Sequence, residues 1–230
     1  MHCGLLCLAL CVCLCVIGVS ARATHGFEIS YYQGHVTQDT FDCLNDEGMK
    51  FGLFQAQRFN GKYNPYLKDD IARSKASGIK TNDVYIMPDT TQDPRDQIAA
   101  TIETMKSEGV LDDNMIWIDV ENSDYWFPSY DDNIQFMKDM VEEGRKQWSG
   151  CSWLFGQDCI GMLTSAAEWD AITNSTEDAF FADMELWYCD YDGKTSLSDF
   201  RAFGPWDEPA YKRYTSTSNL CQTQINYDSC

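Results

Sequence analysis

Two kinds of apolar patterning alternate along the chain. Short β-like runs occupy 26–32, 51–59, 83–87, 115–121, 160–165, 185–191 and 210–216. They are rich in aromatic and β-branched residues, as buried strands are. Longer amphipathic stretches lie between several of them. Residues 64–78 place apolar or small side chains at Leu67, Ile71, Ala72 and Ala76, then stop at Gly78. Residues 94–109 follow Asp93 as a cap and close on Gly109, and 130–147 carry Ile134, Met137 and Val141 before Gly150. These are ordinary helix start and stop signals. Strands alternating with helices predict parallel βαβ units of the α/β class. Their number predicts a modified (β/α) barrel, TIM-barrel-like but smaller than the usual ~250 residues. A doubly wound open sheet is the alternative arrangement, although no G-x-G-x-x-G or Walker loop supports a nucleotide-binding version of it.

The N-terminal stretch breaks this alternation. It is apolar, carries no Lys or Arg before Arg22, and ends at Ala21-Arg22-Ala23. That is too short to span a membrane comfortably and fits the small-x-small rule for signal cleavage. Residues 1–23 are therefore expected to be a signal peptide and 24–230 a single domain, secreted or delivered to the lumen of a digestive compartment. An uncleaved anchor is the competing reading, and after cleavage no membrane contact is expected. Six cysteines lie beyond the leader, at 43, 151, 159, 189, 221 and 230. An even count in an oxidising compartment predicts full pairing, with no free thiol. Cys151 and Cys159 flank a short segment, so a local bridge between them is the simplest expectation. Cys43 follows the first strand and Cys221 the last, and these strands adjoin in a closed barrel, so a bridge there would tie the ends together, with Cys230 as a competitor. No C-x-x-C pair lies beyond the leader and only three histidines exist, so neither a metal nor a cofactor is expected. The formal charge of −19 repels nucleic acid and anionic membranes. It reads as a solvated acidic surface on a monomer, or as an adaptation to an acidic compartment.

The strongest local chemistry is Ile116-Trp117-Ile118-Asp119-Val120-Glu121. Side chains at i and i+2 share one face of a strand, so Asp119 and Glu121 point the same way at its C-terminal end. Barrel chemistry is placed at that end. Two neighbouring carboxyl groups resist joint ionisation, which yields a protonated acid beside an ionised partner, the pair glycoside hydrolysis uses. A polar strand end or a pair of cation ligands would look the same in isolation. Tyr31, Tyr32, Tyr85, Trp126, Trp187 and Tyr188 fall on or just beyond strand ends. Aromatic rings with polar tips suit sugar faces, so their gathering there predicts a glycan cleft.

These segments resemble glycoside hydrolase family 25, the Chalaropsis-type lysozymes that cleave bacterial peptidoglycan, in a secreted protist and nematode branch. Residues 26–34, GFEISYYQG, resemble the opening D-x-S-x-x-Q-G strand, and 116–121 match the D-x-E strand. Residues 186–191, LWYCDY, resemble L-W-x-A-x-Y, and 211–215, YKRYT, the late Q-Y-[TS] strand. The likeness spans nearly all of 26–228. It implies an N-acetylmuramidase acting on β-1,4 bonds, with Glu121 as proton donor and Asp119 assisting by positioning the N-acetyl group. It places Glu28 at the opening acid, and Tyr31, Tyr85, Trp187, Tyr188 and Asn226 on the substrate. Three positions depart from the pattern: Glu28 stands for Asp, Asn226 for Asp, and Arg213 for Gln. Asp228 would share the face of Asn226 if that segment is extended. Weakened activity with an acidic optimum is expected, and restoring Asp at 28 and 226 is expected to raise it. A non-catalytic glycan-binding protein on the same scaffold is the alternative. A family 18 chitinase is excluded because its motif, set on Glu121, would need acids at Asn114 and Trp117. No G-x-S-x-G elbow supports a serine hydrolase. Asn174-Ser175-Thr176 is a glycosylation sequon, which predicts a surface loop.

Overall fold

The computed structural model describes residues 24–112, 114–148 and 159–230. The expected signal segment, residues 1–23, lies outside the described residues.

Eight strands close into one barrel in sequence order. They are β1 (His25–Ile29), β2 (Met49–Gln57), β3 (Thr81–Ile86), β4 (Ile116–Asp119), β5 (Ile160–Thr164), β6 (Leu186–Cys189), β7 (Tyr211–Leu220) and β8 (Thr223–Ser229). Neighbours from β1 to β7 pair in parallel, whereas β8 is antiparallel to both β7 and β1. Helices α1 (Gln38–Asp46), α2 (Leu67–Ala76), α3 (Pro94–Glu108), α4 (Tyr130–Gln147) and α5 (Ala166–Thr173) fill the first five connections. This is the modified (β/α) barrel expected from the pattern. The modification is β8, which closes the barrel as a hairpin partner of β7 and not through a crossover helix.

Local chemistry explains where the helices begin. Asp93 accepts hydrogen bonds from the Arg95 and Asp96 amides, with Pro94 at the first helical position, and Gly109 ends α3 at φ 69°. Ser129 caps α4 and Ser165 caps α5 in the same way. The region 64–78 starts its helix only at Leu67. Asn64 is instead buried, with its side chain donating to the Gln55 carbonyl at 2.9 Å. Two helices, α1 and α5, and the strand β8 were not resolved by the apolar pattern.

Strand alternation divides the core in two. Outward side chains such as Phe27, Phe54, Ile86, Ile118 and Met162 pack beneath the helices. Inward ones, among them Phe51, Leu53, Trp117, Leu163 and Trp187, fill the barrel. Trp187 stacks on Tyr211 at 4.5 Å and meets the edge of Trp117 at 5.2 Å. Gly161 makes room for this filling, because a Cβ there would overlap the Trp117 ring.

The cysteines only partly follow the sequence expectation. Cys43 and Cys221 form a disulfide across a separation of 178 residues, tying α1 to the β7–β8 turn. Cys159 is disulfide-bonded, while its expected partner Cys151 lies outside the described residues. Cys189 and Cys230 are free, which corrects the expectation of full pairing. The alternation that turns Trp187 into the barrel turns Cys189 inward too, and it is buried there among apolar side chains. Cys230 is exposed at the end of the chain, beside Thr24. Among the described residues no helix is long and apolar enough to cross a membrane.

Candidate active site

β4 is buried along its whole length and alternates strictly. Ile116, Ile118 and Val120 belong to the outer core, so Trp117, Asp119 and Glu121 face the interior. Trp117 forms part of the floor and donates to Asp83 through its indole N–H at 3.2 Å. Asp119 and Glu121 lie above it, at the C-terminal mouth. Asn122 then turns the chain with a left-handed φ of 57°, a conformation asparagine tolerates. The Trp126 indole donates to the Glu121 carbonyl at 3.1 Å and fixes that turn.

The mouth holds a cleft of about 460 Å³ whose lining includes Glu28, Tyr85, Asp119, Glu121, Arg213 and Asn226. Arg213 Nη1 donates to Glu121 Oε2 at 2.9 Å, and Arg213 Nη2 pairs with Glu28. Asn226 Nδ2 donates to Glu28 Oε2 at 3.2 Å. Asp119 is 6% exposed, and its Oδ1 is buried without a hydrogen-bond partner. Burial, reinforced by the Glu121 charge, pushes the Asp119 carboxyl well above the usual carboxylate range, while Arg213 opposes the shift. Asp228 lies deeper and accepts from the Trp187 indole at 2.9 Å. Burial pushes its carboxyl up to about 8, again against Arg213.

The structure brings Glu28, Asp119, Glu121, Tyr85 and Asn226 together, as the sequence predicts. Of the six aromatic residues expected there, Tyr32 and Tyr85 line the cleft, whereas Tyr31, Trp126, Trp187 and Tyr188 do not. Trp187 is fully buried below it, and Tyr188, one position on, faces outward against Phe200 and Phe203. On β6, strand alternation puts these two successive residues on opposite faces. Tyr31 stacks on Tyr66 at 5.7 Å with the Arg58 guanidinium 4.1 Å over its ring, and its neighbour Tyr32 reaches the cleft instead. Arg213 and Tyr191 are site residues that sequence reasoning left without a role. For Arg213 the signal was present, since it shares its strand face with the inward Tyr211.

A barrel with an acidic cleft at the C-terminal ends of its strands defines the class, and comparison with solved structures agrees on the fold. The family 25 lysozyme from Aspergillus fumigatus superposes with a TM-score of 0.67 at 16% identity, covering 90% of this chain and 93% of that one. Among sequences, probable family 25 lysozyme 4 of Dictyostelium discoideum is 29% identical over 90% of this chain and 89% of its own length. Probable family 25 lysozyme 5 of the same organism is 27% identical, over 81% and 82%. The resemblance read from the motifs is thereby met. The chain belongs to the lysozyme-like protein 1 family, whose model matches residues 21–214.

Proposed function

We propose that this chain is a secreted or lumenal glycoside hydrolase, a monomeric N-acetylmuramidase that cleaves β-1,4 bonds of peptidoglycan. The observation that carries the reading is the pairing of Asp119 with Glu121 on one strand face, with Asp119 Oδ1 buried and unpartnered at the cleft. An orphaned oxygen in such a place is costly unless a ligand completes it. The acetamido N–H of an N-acetylated sugar is a donor of the right kind. Held there, the acetamido carbonyl oxygen attacks the anomeric carbon. The bond to the leaving sugar breaks, and Glu121 gives its proton to the departing oxygen. Water then opens the cyclic intermediate, and Glu121 takes a proton back. The family membership and the lysozyme relatives support this substrate class.

A second reading has one observation in its favour: Arg213 already holds Glu121 and Glu28 in the resting cleft. A protein so arranged could bind glycan without cutting it. Labelled bacterial cell wall separates the two readings. Release of soluble muropeptides by the wild type, lost in Glu121→Gln while binding persists, supports the hydrolase. Binding with no release by the wild type establishes the glycan-binding protein instead.

A further inference from the structure

The pairing of β4 stops at Asp119, so Glu121 stands beyond the last hydrogen-bonded rung of its strand. Its backbone is held from one side by Trp126, and Asn122 leaves the strand direction immediately after it. Its carboxyl group must therefore be placed by something other than the sheet. Arg213 supplies that hold. The residue is 3% exposed, and its guanidinium spans two carboxyl groups, one on β1 and one just beyond β4. One nitrogen donates to Glu121 Oε2 at 2.9 Å and lies 3.5 Å from the Tyr191 hydroxyl. The other pairs with Glu28.

Glu28 is in turn fixed from behind. Its Oε2 accepts from Asn226, whose own Oδ1 accepts from the Thr217 amide at 2.9 Å, and the Tyr85 hydroxyl also bonds it. The oxygen of Glu28 that meets Arg213 is thus committed to protein partners. A planar guanidinium fork suits this two-sided hold, which a lysine ammonium does not reproduce.

We propose that Arg213 is the positioning residue for Glu121, and that Glu28 acts through Arg213 and not on the substrate. Glu28, Arg213 and Asn226 then form one matched unit. An Asp at position 28 would fall short of the guanidinium by roughly 1.5 Å, one carbon–carbon bond. An Asp at 226 would replace a donor facing Glu28 with a like charge. The three positions that depart from the family pattern become a single coupled change.

The kinetic part of the test rests on the hydrolase reading and compares wild type, Glu28→Asp, Arg213→Lys and the double variant on soluble cell-wall fragments. Each single change should lower kcat roughly 10²-fold through lost orientation, with KM within about twofold. Because both cut the same link, the double variant should lose no more than the worse single one. Singles within about twofold of wild type, or a double loss near the product of the two, would overturn the proposal. If Glu28→Asp fails to fold by circular dichroism, Glu28→Gln replaces it, keeping the reach of the side chain while removing its charge; if Arg213→Lys fails, Arg213→Gln replaces it. A second readout does not need turnover. In nitrogen-15 spectra the restrained Arg213 guanidinium should show resolved Nη resonances that Glu28→Asp averages. Unchanged resonances in Glu28→Asp overturn the link even if the wild type proves inert, whereas absent turnover with the expected spectral change sinks only the hydrolase reading.

Discussion

Trp187 Nε1 donates a 2.9 Å hydrogen bond to Asp228 Oδ1 in the barrel interior, and the second oxygen of that carboxyl is buried without a partner. One indole N–H is poor solvation for a buried charge, so the neutral acid is favoured and its titration is pushed up to about 8. An unfolded aspartate titrates near ~3.9. Between these values the folded chain holds a proton that the unfolded chain has released. Stability therefore falls as pH rises across that window. Asp70, raised by burial to about 7, adds to the same slope. Urea unfolding should show a lower midpoint at about pH 8 than at about pH 5. Asp228→Asn, which keeps an acceptor for Trp187, should flatten part of the difference. A midpoint that climbs over this range would show that Asp228 is not held neutral.

Glu121→Gln should abolish release of cell-wall fragments while the melting temperature stays near that of wild type. The lost general acid is worth on the order of 10²–10⁴ in rate. Asp119→Asn should also be severe: it keeps an acceptor for the acetamido N–H at the unpartnered Oδ1 but loses the charge that stabilises the oxocarbenium-like state. Lysis by a folded Glu121→Gln protein at near wild-type rate would remove that assignment.

The pH profile should carry the signature of Asp119. To offset the positive charge that develops on the reacting sugar it must be ionised, yet burial raises its titration well above the usual carboxylate range. The acid limb of kcat/KM, which reports the free enzyme, should accordingly lie above that range, and activity should fall on acidification. This opposes the acidic optimum read from the missing charge at position 226. Initial rates measured across pH, at substrate well below KM, decide between them.

Restoring an acid at 226 was expected from the sequence to help, and the geometry reverses that expectation. Asn226 Nδ2 donates to Glu28 Oε2, and an aspartate cannot. Asn226→Asp should lose a hydrogen bond to a charged group, about 1.5–3 kcal/mol of stability, and should lower turnover. Paired unfolding and activity measurements on the one variant test both halves.

The thiols are countable. Among the cysteines of the described residues, alkylation of unfolded, non-reduced protein should label Cys189 and Cys230, and alkylation of the native protein should label Cys230 alone. Replacing both Cys43 and Cys221 by alanine should cost about 2–4 kcal/mol, because their bridge closes a long loop in the unfolded chain. Mass spectrometry showing Cys189 bridged would refute the arrangement.

Much of this architecture was legible because strand alternation and helix caps are local signals. Asp93 with Gly109 marked α3, and Asp119 with Val120 and Glu121 marked the acidic strand end. β8 was not legible, since 223–229 mixes Gln, Asn, Tyr and Asp and is a strand only because β1 and β7 flank it. Trp187 and Tyr188 were misplaced for a related reason. A strand end is a position along the barrel axis, whereas lining the cleft also requires the correct face. Arg213 was visible as a departure, but its partners lie on β1 and just beyond β4, at separations no local pattern spans.

β7 carries its two cations on successive residues and therefore on opposite faces. Lys212, fully buried, gathers Asp190, Asp192 and Asp199 of the segment after β6, while Arg213 gathers the acids of the cleft. A one-residue slip of this strand would leave its charge and its hydrogen-bonding capacity intact. It would nevertheless exchange the two anchors, offering an ammonium to acids that need a fork and a fork to aspartates gathered around a point charge. Among the described strands, β7 is thus where a register error would escape any count of charges and yet loosen both faces of the wall at once.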